Sequence, residues 1–358
     1  MNFKEELKKY IDIVNNELQK HVKTKECPEQ VLNESMGYSL MAGGKRLRPI
    51  LIISAYKLFK DDIEKTFKFA VAMEMVHTFS LIHDDLPAID NDDYRRGKLT
   101  NHKKFNEATA ILAGDSLLNS AYNIIIEDIA NSEDEQEKAK KTKALYELSY
   151  GIDRMIAGEY VDTEYEGKQI SSEYLEYMHE NKTGALIKAS VKIGAILAGA
   201  TENDIENLNR YAEKIGLAFQ IKDDILSEIG NQEELGKPVG NDREKGKCTY
   251  VTKYGLEASQ KMLDDIIDES IKIIKNYKKG DGNLFLFKGI KPLSPTSINQ
   301  RKLSACKKAN LKTITLHQFR HSHATMFLTE GIIINEVSRR LGHSRVSTTL
   351  DVYTHTSL

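Results

Sequence analysis

An all-α fold is the prediction for residues 1–278 of this 358-residue chain. Three observations carry it. Apolar residues recur at helical spacing in one segment after another, and no sustained apolar/polar alternation of period two interrupts them. Three of the four prolines in this stretch, Pro28, Pro49 and Pro238, sit near apparent segment ends. The helical segments run in order from Met36 to Met41, Pro49 to Phe59, Phe67 to Ile82, Ala108 to Ile129 and Lys143 to Ile156. The pattern resumes through Leu175 to Ala200, Ile205 to Ile225 and Ala258 to Tyr277. The charge-dense stretch Asn131 to Lys143 reads as a loop or a solvated helix end. Pro87 breaks the rule for prolines, since it interrupts a helix inside an acidic cluster.

Composition bounds the answer. Apolar residues make up 40% and charged residues 29%, which suits a globular protein and is too apolar for a disordered one. No apolar run approaches the ~18 residues a membrane span needs. The N-terminus, Met1-Asn2-Phe3-Lys4-Glu5-Glu6, lacks the apolar centre of a signal peptide. Three widely spaced cysteines, Cys27, Cys248 and Cys306, argue against a disulfide framework and fit a reducing, cytoplasmic location.

The net charge of −2 hides a split. Residues 283–358 hold 11 Lys/Arg against 3 Asp/Glu, a net of +8, while residues 1–282 carry −10. Five of the ten histidines fall in the basic piece. Near Lys278-Lys279-Gly280-Asp281-Gly282 the helical pattern stops, and Pro292, Pro295 and a run rich in His, Ser and Thr follow. We place a boundary at about 280, giving pieces 1–280 and 281–358. An acidic piece suits metal ions and a basic one suits a polyanion such as nucleic acid, although a solvated surface accounts for either charge alone.

Two aspartate clusters each follow an apolar helical stretch. The first is His83-Asp84-Asp85-Leu86-Pro87-Ala88-Ile89-Asp90, and the second is Gln220-Ile221-Lys222-Asp223-Asp224. Carboxylates this close repel one another unless they are solvated or share a cation. Hard oxygen donors suit Mg²⁺, which takes one or two carboxylates together with waters and phosphates. One cluster fits a surface turn equally well; two, each ending an apolar helix, suggest opposite walls of a metal site. Gly43-Gly44-Lys45-Arg46-Leu47-Arg48-Pro49 sets two glycines and three cations just before a helix, and Arg95-Arg96 follow the first cluster. Cations beside such a site imply a polyphosphate ligand.

These motifs, with Lys182-Thr183, Gly236-Lys237-Pro238 and Lys247-Cys248-Thr249-Tyr250, resemble in their order the trans-prenyltransferases of the farnesyl/geranylgeranyl diphosphate synthase family. The resemblance covers residues 1 to about 278. It implies the all-α isoprenoid synthase fold, a homodimer and about three Mg²⁺ ions. By resemblance, Asp84, Asp85 and Asp90 would hold Mg²⁺ against the allylic diphosphate, with Asp223, and Asp224 beside it, on the opposite wall. Arg95, Lys182 and Lys237 would bind the allylic diphosphate (dimethylallyl or geranyl). Lys45, Arg48, His77 and Arg96 would bind isopentenyl diphosphate. Thr183 and Gln220 would present oxygen atoms to the developing allylic cation. Ser227 stands where the family often has a third aspartate. His83 and His102 read as structural or solvent-facing, and Cys248 as a small filler.

Phe79 lies five residues before Asp84, about 7.5 Å deeper along the helix. In this family a bulky side chain there floors the pocket of the growing chain. Phe79, Ser80 and the longer DDxxxxD spacing favour a C15 product, farnesyl diphosphate; a smaller residue would favour the C20 geranylgeranyl product.

The basic tail resembles the C-terminal part of a tyrosine recombinase (phage integrase) catalytic domain. The residues that carry this are Pro292 to Asn299, His317-Gln318-Phe319-Arg320-His321, Leu341-Gly342-His343 and Leu350-Asp351-Val352-Tyr353. The resemblance implies that His317, Arg320 and His343 would contact a scissile phosphate and that Tyr353 would be the nucleophile. A second arginine and a lysine, supplied in that family from earlier in the domain, have no counterpart before residue 283, where a synthase-like sequence stands instead. Residues that act as a unit lose most of their activity when part is missing. The expectation is therefore a truncated fragment with weak, salt-sensitive DNA affinity. The competing reading from another class is a DNA-binding or recombinase protein whose first 278 residues are a scaffold.

Overall fold

The computed structural model describes residues 3–22, 26–168, 170–229 and 249–275. Lys237, Cys248 and the recombinase-like His317, Arg320, His343 and Tyr353 lie outside the described residues. Helix α1 (Phe3–Gln19) buries Tyr10, Val14 and Leu18, a stripe at four-residue spacing. Helix α2 (Gln30–Leu40) and helix α3 (Leu47–Lys57) follow, the latter entered through Arg46 in the left-handed region at φ 48°. After a short 3₁₀ turn comes α4 (Phe67–Asp84). Its residues from Phe69 to Val76 are buried on all sides, which marks it as a central helix. Each fully buried apolar side chain of this kind contributes roughly 1.5–3 kcal/mol.

The chain then makes a two-stranded hairpin, β1 (Tyr94–Arg95) with β2 (Lys98–Leu99), in which Tyr94 pairs with Leu99 and Arg95 with Lys98. Arg96 and Gly97 at its turn both have positive φ, 54° and 74°, as a type I′ hairpin turn requires. Helices α5 (Asn101–Lys104), α6 (Glu107–Ala130), α7 (Glu135–Glu164) and α8 (Ser172–His179) come next. The caps are local chemistry: Asn106, Asp134 and Ser171 each accept a backbone N–H from the first turn of α6, α7 and α8.

The predicted segment Leu175 to Ala200 is not one α-helix. A π-helical turn at Glu180–Gly184 divides α8 from α9 (Ala185–Ala198), the second helix buried all round. Helix α10 (Glu202–Ile229), α11 (Tyr250–Tyr254) and α12 (Leu256–Lys275) complete the described chain. The stretch after Asn131 proves to be mostly helix end, since α7 starts at Glu135. Central α4 packs on α6, and central α9 packs on α3, α7 and α10. A separate small core joins α10 to α11 and α12 through Ile221, Ile225, Tyr250 and Leu263. Among the described residues, no helix is long and apolar enough to cross a membrane.

Candidate active site

The first aspartate cluster ends α4, whereas the second lies within α10, which runs on to Ile229 instead of ending there as expected; both face one cleft of about 720 Å³, within the range of small-molecule sites. Asp84, the last residue of α4, and Asp223 on α10 both line it. So do Arg48, His77, Phe79 and the Lys182-Thr183 pair. Pro87 stops α4, and the turn that follows folds back so that the Asp90 N–H donates to the Asp84 carbonyl at 2.8 Å. That bond brings two carboxylates of the first cluster together. Burial first, and then the nearby Glu159, push the Asp84 carboxyl up to about 7.

Adjacent residues on a helix point about 100° apart, so neither Asp-Asp pair presents both members to the cleft. Asp85 is only 2% exposed. Arg95 grips it from Nε, at 2.7 and 2.8 Å to the two oxygens, and from Nη2 at 2.5 Å. Burial opposes the Arg95 charge, but Asp85 outweighs it and holds the guanidinium above its ordinary value. Neither Asp85 nor Arg95 is among the residues lining the cleft. Asp224, 3% exposed, is likewise turned away from it. Its Oδ1 accepts from Gln220 Nε2 at 2.9 Å, and its Oδ2 accepts from the Tyr250 backbone N–H at 2.8 Å.

Lys182 and Thr183 sit in the π-helical turn, a distortion that often marks functional sites. Helix α7 approaches this turn so closely at Gly158 that a Cβ there would lie 2.1 Å from the Lys182 backbone nitrogen. The approach sets Lys182 Nζ 2.8 Å from Glu159 and 2.6 Å from Asp162. Burial works against the ammonium charge, but Glu159, Asp162 and Asp84 outweigh it and raise its pKa. Thr183 Oγ1 donates to Gln220 Oε1 at 3.0 Å.

The glycine-rich turn supplies the cationic side. Arg48 Nη1 lies 3.4 Å from His77 Nε2. Burial, reinforced by Arg48, drives the His77 ring well below its ordinary pKa, so it is neutral and can accept from Arg48. Arg96 donates to the Gly43 carbonyl, and Lys45 is exposed on the same turn. Arg46, by contrast, is a buried strut paired with Glu74 at 2.5 Å.

Glu74, Glu159 and Asp162 were not singled out by the sequence reading. Glu159 and Asp162 lie one helical turn apart and follow Gly158, a spacing that would have flagged a third acidic face. His83 is not simply solvent-facing either: its Nε2 lies 3.1 Å from the Ile111 carbonyl and its ring meets Phe79 edge-on at 5.8 Å. Phe79 itself is buried in the cleft wall. Among the described residues no three His, Cys, Asp or Glu side chains form a ready-made metal cage. A few carboxylates on opposite walls, with a polyphosphate to complete the shell, is nevertheless the donor set that suits Mg²⁺.

Residues 29–280 match the polyprenyl synthetase family, and residues 243–358 match the phage integrase family. The two matches overlap at 243–280, where α11 and α12 pack against α10. The chain is 44% identical over 253 residues to a farnesyl diphosphate synthase of Micrococcus luteus, covering 71% of this chain and 86% of that one. It is 45% identical over 238 residues to a geranylgeranyl diphosphate synthase of Cyanophora paradoxa, covering 66% and 79%. A solved Helicobacter pylori geranyltransferase, complexed with magnesium and isoprenyl diphosphate, superposes with a TM-score of 0.69 at 27% identity, covering 85% of this chain and 97% of that one. On these matches the chain belongs to the polyprenyl synthetase family and is a prenyltransferase.

Proposed function

We propose that this chain condenses isopentenyl diphosphate with dimethylallyl diphosphate to give geranyl diphosphate, and geranyl diphosphate with a second isopentenyl diphosphate to give farnesyl diphosphate. The observation that carries the reading is the cleft itself, with Asp84 and Asp223 on opposite walls, Lys182 between α7 and the π-helical turn, and Phe79 deeper on α4. Mg²⁺, about three ions by family resemblance, would sit with Asp84, Asp90 and Asp223 and neutralise the diphosphate as its charge develops. Lys182 in the cleft wall, with Arg95 and Lys237 by resemblance alone, would bind the allylic diphosphate. Arg48 and His77 in the cleft wall, with Lys45 and Arg96 by resemblance, would bind isopentenyl diphosphate. The C–O bond of the allylic substrate breaks with its electrons leaving on diphosphate. The isopentenyl double bond attacks the allylic carbon, and a proton leaves to the released diphosphate. Thr183 and Gln220 turn oxygen atoms towards the cation, favouring charge where it develops.

Relatives named for C15 and for C20 products are about equally similar to this chain, so identity does not choose between them. Phe79 supports the shorter product. A homodimer is the expectation from the family resemblance, and Leu112 and Ile126, 55% and 52% exposed on one face of α6, are apolar side chains that such an interface would cover. The integrase-like residues support a subordinate reading, weak and salt-sensitive DNA binding without strand transfer.

The test is Mg²⁺-dependent diphosphate release from the two substrates. Asp84→Ala and Asp223→Ala are expected to abolish it, and Tyr353→Phe is expected to leave it unchanged. Full release in both aspartate variants would overturn the assignment of the walls.

A further inference from the structure

We propose that Asp224, the second aspartate of the α10 pair, is a positioning residue and not a metal ligand: it fixes which end of the Gln220 amide meets Thr183, which lines the cleft. The proposal rests on the reading of Gln220 as an oxygen donor to the allylic cation. A carboxylate can only accept hydrogen bonds. Its Oδ1 takes the Gln220 Nε2–H at 2.9 Å, so the amide nitrogen must point at Asp224 and the amide oxygen must point away from it. That oxygen receives Thr183 Oγ1 at 3.0 Å, in the π-helical turn beside Lys182.

The other carboxylate oxygen holds the backbone N–H of Tyr250 at 2.8 Å, at the start of α11. Thr249 caps the same turn. Asp224 is thus fixed from two sides at 3% exposure, while Asp223, one residue earlier, lines the cleft. His179 packs its ring edge-on against Tyr250 at 5.4 Å behind the same network. Without Asp224 the amide is free to rotate, and the rotated amide would present N–H dipoles to a cation, the wrong sign for stabilising it. Ser227, in place of a third aspartate, lies one turn beyond Asp223, so Asp223 is the carboxylate that α10 offers to a cation.

The test compares Asp224→Asn with Asp223→Asn in the full chain. The asparagine keeps the size of Asp224 but places an amide nitrogen where a donor already points. Asp224→Asn is expected to lower kcat by about 10²-fold with KM and the Mg²⁺ concentration for half-maximal rate little changed. The Asp224→Asn/Thr183→Val double variant should be no slower than the worse single variant, because the three residues act as a unit. Thermal melting in EDTA supplies a readout independent of turnover. There, Asp224→Asn should melt below the parent, and Asp223→Asn at or above it. A half-maximal Mg²⁺ concentration raised by Asp224→Asn, with kcat restored at high Mg²⁺, would overturn the proposal. So would parent-like melting of Asp224→Asn in EDTA. A parent chain without prenyl transfer would sink the functional reading instead, and the melting comparison would still decide the place of Asp224.

Discussion

Lys182 reaches from the π-helical turn to Asp162 on α7, its Nζ 2.6 Å from the carboxylate Oδ2. Glu159, one turn earlier on α7, holds the same ammonium at 2.8 Å. The charge is therefore fixed at the edge of the cleft before any substrate arrives, and needs little reorganisation when a diphosphate leaves. Lys182→Met should lower kcat for diphosphate release by about 10²–10³-fold. A steady-state assay that gave the parental kcat would contradict this role.

Arg46 and Glu74 make a different kind of pair. Both side chains are 1% exposed, and Arg46 also donates to Asn15 and to the Leu40 carbonyl, at 2.9 Å each. Removing one charge strands the other in the interior. Arg46→Met should cost about 3–5 kcal/mol in urea unfolding, and Arg46→Met/Glu74→Met should recover most of the loss. A single variant with the parent's midpoint would show that Glu74 is solvated and not paired.

Product length follows from the wall of the cleft. The Phe79 ring meets the His83 ring edge-on, and His83 occupies the space where a Cβ on Gly114 would lie, 2.1 Å from its Nε2. Phe79→Ala should lengthen the product from C15 towards C20. Gly114→Ala should alter the product distribution as well, because it forces His83 off its seat beside Phe79. Chromatography of the products checks both, and an unchanged C15 product from Phe79→Ala would remove Phe79 as the floor.

Burial lowers the His179 pKa from 6.5 to about 4, with Asp162 and Lys182 acting in opposite directions as smaller influences. The folded state therefore binds fewer protons than the unfolded state between these values. Stability falls as the pH drops from about 6.5 towards 4, and His179 contributes no pH dependence above 6.5. The full effect is roughly 3 kcal/mol, at 1.36 kcal/mol per pKa unit. Urea unfolding at pH 7 and pH 4.5 should show the parent losing more stability than His179→Gln. Equal losses would contradict a buried, neutral ring.

Much of this was legible in the sequence, because charge clusters and apolar periods are local signals. The helices, both aspartate clusters and the Gly-Gly-Lys-Arg turn could be read directly. The contacts that hold Asp85 on Arg95 and Asp224 on the Tyr250 N–H were not legible, because they depend on where the hairpin and α11 come to lie. Glu159 and Asp162 share a helix face at a spacing the sequence does show, but their role depends on α7 meeting the π-helical turn at Gly158, a tertiary event. The π-helical turn itself leaves no period to detect over five residues. The hairpin at Tyr94–Leu99 is too short for its two-residue strands to show alternation.

The most direct measurement is product analysis after incubating the full-length chain with labelled isopentenyl diphosphate, dimethylallyl diphosphate and Mg²⁺. The account predicts a C15 prenyl diphosphate that forms only when all three are present. Folded protein that forms no prenyl product under those conditions would contradict the account.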